Sequence, residues 1–167
     1  MKKLIVATVI AGLILTSCQK ADKEELSPAT ETAASATSSA ATASGWIAVT
    51  FNPGAAGAKG QVQSQASVSS EMFSEAVLAD GLVLVFSKDD KGVNMLPYQD
   101  AATDWNYTVS KGQLSISATA VKAVESASVR YIVLEAAKVA ELEKTGYSRA
   151  DLINLPFEKA QVLFGLQ

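Results

Sequence analysis

The chain is predicted to be mainly β, an antiparallel β-sandwich of about seven strands followed by short carboxyl-terminal helices. Three observations predict it. Apolar and polar residues alternate through most of the segment from Trp46 to Leu134. Two short runs within it, Leu82 to Phe86 and Val129 to Leu134, are apolar on both faces apart from Arg130. Helical spacing of apolar residues dominates only after Glu135. Alternation marks a strand with one wet face, whereas an unbroken apolar run must be covered on both sides. The two runs therefore belong together at the centre of the structure.

Taken in order, Trp46 to Phe51 is the first strand, ended by Asn52-Pro53-Gly54, and Pro53 to Gly60 reads as a Gly and Ala loop. Gln61 to Val68 places Val62, Ala66 and Val68 on one face and Gln61, Gln63 and Gln65 on the other. Ser69 to Ala79 reads as a short helix or turn, with Ser69 or Ser70 as candidate cap and Met72, Phe73, Ala76 and Val77 at helical spacing. Asp80-Gly81 turns the chain into Leu82 to Phe86. Asp89 to Gly92 is a turn into Val93 to Tyr98, completing a hairpin.

A second hairpin follows. Trp105, Tyr107 and Val109 alternate with Asn106, Thr108 and Ser110, and Lys111-Gly112 turns into Leu114, Ile116 and Ala118, which alternate with Gln113, Ser115 and Ser117. Val129 to Leu134 is the seventh strand, expected to pair with the Leu82 strand. Arg130 within it would meet a carboxylate or lie at a sheet edge. Ala136 to Lys144 has helix-forming composition and stops at Gly146. Ser148 with Asp151 resembles a capping box, and Phe157, Ala160, Leu163 and Phe164 share a helical face after Pro156.

The residues before Trp46 carry an address. Lys2 and Lys3 precede a run from Leu4 to Leu15 that is apolar except for Thr8 and Gly12, the layout of a secretory signal segment. It is shorter than the roughly 20 apolar residues needed to span a bilayer. The run ends in Leu15, Thr16, Ser17 and Cys18, which resembles the bacterial lipobox, with small residues where the peptidase must take in an extended backbone. Cys18 is the only cysteine. Acylation there accounts for an unpaired thiol in an exported protein, and several acyl chains, at about 0.8 kcal/mol per methylene, hold a membrane stably.

Gln19 stands where Asp would favour retention at the inner membrane, so outer-membrane sorting is expected. The stretch Gln19, Lys20, Ala21, Asp22, Lys23, Glu24, Glu25 resembles the charged signal by which Bacteroidota display lipoproteins on the outer face of the outer membrane; a solvated spacer is the plainer reading. From Ala29 to Ser44 every residue but Glu31 is Ala, Ser or Thr. Such a segment buries too little to offset its ordering entropy, and a disordered tether is expected. The roughly 27 links from Cys18 to Gly45 would average about 30 Å end to end. The predicted organisation is a lipoprotein signal peptide at 1–17, a lipidated cysteine and tether at 18–45, and a β-sandwich domain at 46–167.

Several landmarks together resemble a poorly characterised lipoprotein β-domain family of Bacteroidota. They are Trp46 opening the first strand, Asp80-Gly81-Leu-Val-Leu-Val-Phe86, Leu96-Pro97-Tyr98, Tyr107 with Gly112-Gln-Leu-Ser-Ile116, Arg130-Tyr-Ile-Val133, and Leu155-Pro-Phe-Glu-Lys-Ala-Gln-Val-Leu-Phe164. Relatives often carry collagen-like tethers, where this chain has Ala, Ser and Thr. The resemblance implies a surface lipoprotein with a small β-domain and supplies no catalytic residues.

Composition narrows the chemistry. Without histidine, a Ser-His-Asp triad and a His-based metal site are excluded. Cleavage before Cys18 would leave 12 basic against 17 acidic residues, a net charge of −5 that disfavours nucleic acid. Asp89 and Asp90 lack the ligand spacing of a calcium loop and read as a hairpin turn. Glu71 and Glu75, four apart, read as a solvated face rather than a glycosidase pair. Gly54, Gly57 and Gly60, every third position, read as a flexible loop rather than a collagen stretch.

Trp46, Tyr98 and Trp105, with Tyr107, are candidates for an aromatic sugar platform, although Trp105 and Tyr107 share a face with Val109 that suggests core. No metal or cofactor is expected. The expected role is that of a non-enzymatic, surface-exposed outer-membrane lipoprotein, held through Cys18, that binds or supports an envelope partner. The alternative is a carbohydrate-binding accessory lipoprotein of a glycan-uptake system.

Overall fold

The computed structural model describes residues 41–57 and 60–166. Among them are ten strands: β1 (Ala41–Ala43), β2 (Ile47–Thr50), β3 (Asn52–Ala56), β4 (Val62–Ser69), β5 (Leu82–Asp89), β6 (Gly92–Met95), β7 (Tyr98–Gln99), β8 (Thr103–Ser110), β9 (Gln113–Ala120) and β10 (Ser126–Leu134). Four helices accompany them: α1 (Glu75–Asp80), α2 (Ala136–Lys144), α3 (Arg149–Leu152) and α4 (Phe157–Phe164). The strands form two antiparallel sheets packed face to face. One runs β1-β10-β5-β6 with β2 also on β10, and the other β3-β4-β9-β8-β7.

The two apolar runs pair as their composition requires. β10 lies against β5 with Arg130 opposite Phe86, Ile132 opposite Leu84 and Leu134 opposite Leu82. Alternation then divides each strand between two cores. Val83 and Val85 join Val129, Tyr131 and Val133 between the sheets, where Leu114, Ile116 and Ala118 of β9 meet them. Leu84 and Phe86 join Ile132 and Leu134 on the opposite face, beneath Val139 and Leu142 of α2, Leu152 of α3, and Phe157 and Ala160 of α4. The carboxyl-terminal helices thus make a third layer over one sheet, which is why β5 and β10 have no polar face.

Two strands change sheet. β2 passes through buried Phe51 into β3, and β6 passes through buried Leu96 and a cis peptide bond at Pro97 into β7. Both corners feed an aromatic ring toward Trp105. Phe51 meets it edge-on at 5.7 Å between centroids and Tyr98 stacks on it at 6.1 Å with planes 12° apart.

Four expectations are corrected here. Ordered structure begins before Trp46, because Ala41, Thr42 and Ala43 pair with Leu134, Val133 and Ile132 along the open edge of β10. Their small side chains fit beside the helix layer, and Ser44 adds a main-chain donor to Tyr131 at 2.9 Å. The segment expected as a loop from Pro53 contains β3, an edge strand whose pairing with β4 shifts register between Pro53 and Ala56; an edge tolerates proline because one side of the strand needs no partner. Val93 to Tyr98 is divided between two sheets rather than forming one hairpin strand. Arg130 sits on an interior strand, flanked by β5 on one side and by β1 and β2 on the other, not at a sheet edge.

The carboxyl end follows its local signals. Ser148 and Asp151 form the capping box of α3, α2 stops before Gly146 in a left-handed conformation at φ 102°, and the cap of α1 is Ser74, whose Oγ accepts from the Val77 amide at 3.3 Å. Ser69 and Ser70 lie upstream of that helix; Ser70 instead accepts from Met72 in a preceding turn.

Candidate functional site

Leu15, Thr16, Ser17 and Cys18, together with Gln19, Lys20, Asp22, Glu24 and Glu25, lie outside the described residues. The aromatic candidates can be placed. Trp105 is 8 % exposed and Trp46 37 %. Trp46 packs against Phe157 at 5.5 Å with a 55° tilt, on the helix side of its sheet, and Lys88 Nζ stands 5.9 Å from its ring, within cation–π range. Tyr98 and Trp105 belong to the inter-sheet core. The three rings therefore do not assemble into one platform: Tyr98 and Trp105, on the second sheet, lie between the sheets, whereas Trp46, beside β2 of the first sheet, lies against the helix layer.

Tyr98 and Trp105 do border a cavity of ≈ 430 Å³ at one end of the sandwich, with Ser87 to Asp90 and Ser126 to Ser128. Burial raises the Tyr98 hydroxyl pKa, with Asp89 and Asp100 raising it further and hydrogen bonding to Ser87 and Asn94 opposing. Tyr107 is also raised, by burial, and its hydroxyl donates to the Val83 carbonyl at 3.0 Å. Both phenols are kept neutral and structural.

The charged candidates have local work. Asp89 Oδ1 accepts from the Lys91 and Gly92 amides at 2.8 and 3.0 Å, fixing the hairpin turn. Glu75 pairs with Lys111 at 2.7 Å, while Glu71 precedes α1 and shares no helical face with it. Arg130, buried beside Phe86, donates from Nε to the Ser44 carbonyl at 2.8 Å. Among the described residues no group of three or more Asp, Glu, Cys or His side chains could hold a metal ion, and no helix is long and apolar enough to cross a membrane.

A larger concavity lies elsewhere, on the outer face of the second sheet. It measures ≈ 850 Å³ and is walled by Asn52 to Ala55 of β3. Cross-strand register sets its floor in rows: Asn52, Gln65 and Ser117 lie opposite one another across β3, β4 and β9, and Ser67, Ser115 and Thr108 form the next row across β4, β9 and β8. Gln113 closes one end and Gln63 the other. Ala66 and Ile116 beneath are only 6 % and 1 % exposed. Among the described residues no charged side chain lines this cleft. Sequence alternation assigned Gln63, Gln65, Ser115 and Ser117 to a wet face, but β3 was invisible as a strand, and without its wall the face has no concavity.

No family model matches the chain, and neither a curated protein nor a solved structure matches it.

Proposed function

We infer that the protein is a non-catalytic binding module, lipid-anchored through Cys18 to the outer membrane and displayed toward the cell exterior. The observation that carries this reading is the asymmetry of the sandwich. The chain enters at β1 in the sheet that the helices cover, whereas the polar outer face of the other sheet carries no helix layer among the described residues and holds the larger cleft. That separation supports a reading in which anchorage and partner contact use different sheets. The lipobox at Leu15 to Cys18, the Ala, Ser and Thr stretch after it, and the resemblance of the domain's landmarks to a Bacteroidota lipoprotein β-domain support the same reading.

Protease added to intact cells tests the display. The domain should be digested while a periplasmic marker survives. Full protection until the outer membrane is permeabilised would overturn outward display.

A further inference from the structure

We propose that the cleft on the β3-β4-β9-β8 face is a binding site for a neutral polysaccharide, a deepening that rests on reading the domain as a binding module. The chemistry of the lining selects this occupant by what it offers and what it omits. Gln65 and Gln113 each present amide donors and acceptors, and Ser67, Thr108, Ser115 and Ser117 each present a hydroxyl that can do both. These groups repeat roughly every 4.8 Å across the strands and roughly 6.8 Å along them. A chain of sugar hydroxyls, also donors and acceptors at every position, can engage several such groups at once.

Other partner classes find less. A polyanion or a basic peptide needs opposite charge, and the cleft has no charged lining among the described residues. A stable protein interface is anchored by aromatic, Arg or large apolar side chains at its centre, whereas here Ala66 and Ile116 lie beneath the floor, at most 6 % exposed, and the wall adds only the small Pro53 and Ala55. The wall from Asn52 to Ala55 gives an extended ligand a groove to lie in rather than a flat surface. Its close packing is set by Gly54, where a Cβ would come within 2.8 Å of the Gln63 carbonyl. Without a stacking platform each contact is weak, so affinity for short oligosaccharides should be low and should rise with chain length as more units engage along the groove.

Affinity electrophoresis of the full chain in detergent tests the site. Native gels are cast with soluble galactomannan, xyloglucan, mixed-linkage glucan, dextran or, as a polyanion, alginate. At least one neutral polymer should retard the protein and alginate should not. The double variant Gln65→Ala, Gln113→Ala should weaken that retardation at least tenfold, and Ser115→Asp, Ser117→Asp should do the same by a different route, both melting as the parent does. Trp46→Ala should leave retardation intact. Absence of retardation by every neutral polymer, retardation by alginate alone, or loss only with Trp46→Ala would overturn the proposal. Those results leave outward display untouched, since that is decided by the protease experiment on cells.

Discussion

Arg130 reaches from the centre of its sheet to the Ser44 main chain, its Nε donating to the Ser44 carbonyl at 2.8 Å. Ser44 in turn receives the Tyr131 amide on its Oγ at 3.0 Å and gives its own amide to the Tyr131 carbonyl at 2.9 Å. The point where the chain enters the domain is thus clamped to β10. A charged donor to a main-chain acceptor contributes about 1.5–3 kcal/mol. Arg130→Met, which keeps the aliphatic stem, should cost that much in denaturant unfolding. It should also accelerate hydrogen exchange at the Ser44 amide; unchanged exchange there would show that the clamp does not hold β1.

The two tryptophans should behave oppositely. Trp105 lies between Phe51 and Tyr98 in the inter-sheet core, so Trp105→Ala should cost about 3–5 kcal/mol. Trp46 rests on Phe157 with much of its ring exposed, and Trp46→Ala should cost at most about 1.5 kcal/mol. Acrylamide should quench the emission that remains in Trp105→Phe far more strongly than that in Trp46→Phe.

Gly81 is required for space rather than for an unusual backbone angle. A Cβ there would stand 2.6 Å from the Leu134 carbonyl oxygen and 2.8 Å from that of Val77, and both belong to main chain that cannot yield cheaply. Arg149 also donates to the Asp80 carbonyl beside it at 2.6 Å. Gly81→Ala should lower stability by at least about 2 kcal/mol in urea unfolding; a neutral result would mean that the α1 to β5 connection is looser than its geometry indicates.

Stability should be flat near neutrality and fall at both extremes. Asp151 is held below the ordinary aspartate range by the Ser148 hydroxyl and amide, and Asp100 by the Ala102 and Thr103 amides. Their contribution is present above the unfolded value of about 3.9 and is lost as pH falls through the lower folded values. Tyr98 and Tyr107 are raised. Their contribution is present below the unfolded value of about 10 and is lost as pH rises through the higher folded values. Since both carboxylates are solvent-exposed, the acid loss should be shallow. Melting temperature against pH checks the shape, and NMR titration of the four groups checks the signs.

Legibility in sequence followed the strength of local signals. β5 and β10 were readable because runs such as Leu82 to Phe86 admit few alternatives, and their pairing followed from both needing cover on two faces. Ser148 and Asp151 announced α3 through a motif whose two hydrogen bonds are local. β1 and β3 were not readable. Ala41-Thr42-Ala43 continues a tract of identical composition, and only the unpaired edge of β10 makes it a strand. Pro53 and Gly54 disfavour a strand unless it lies at an edge, and sequence alone does not reveal edges. The cleft inherited that blind spot, since its polar floor was legible and its wall was not.

The proposed anchorage and display both require lipidation at Cys18, and metabolic labelling with an alkyne fatty acid tests that proposal most directly. The full-length protein should take up label and remain with the membrane fraction, and Cys18→Ala should take up none. A labelled Cys18→Ala protein, or an unlabelled parent whose signal segment is still attached, would contradict the account.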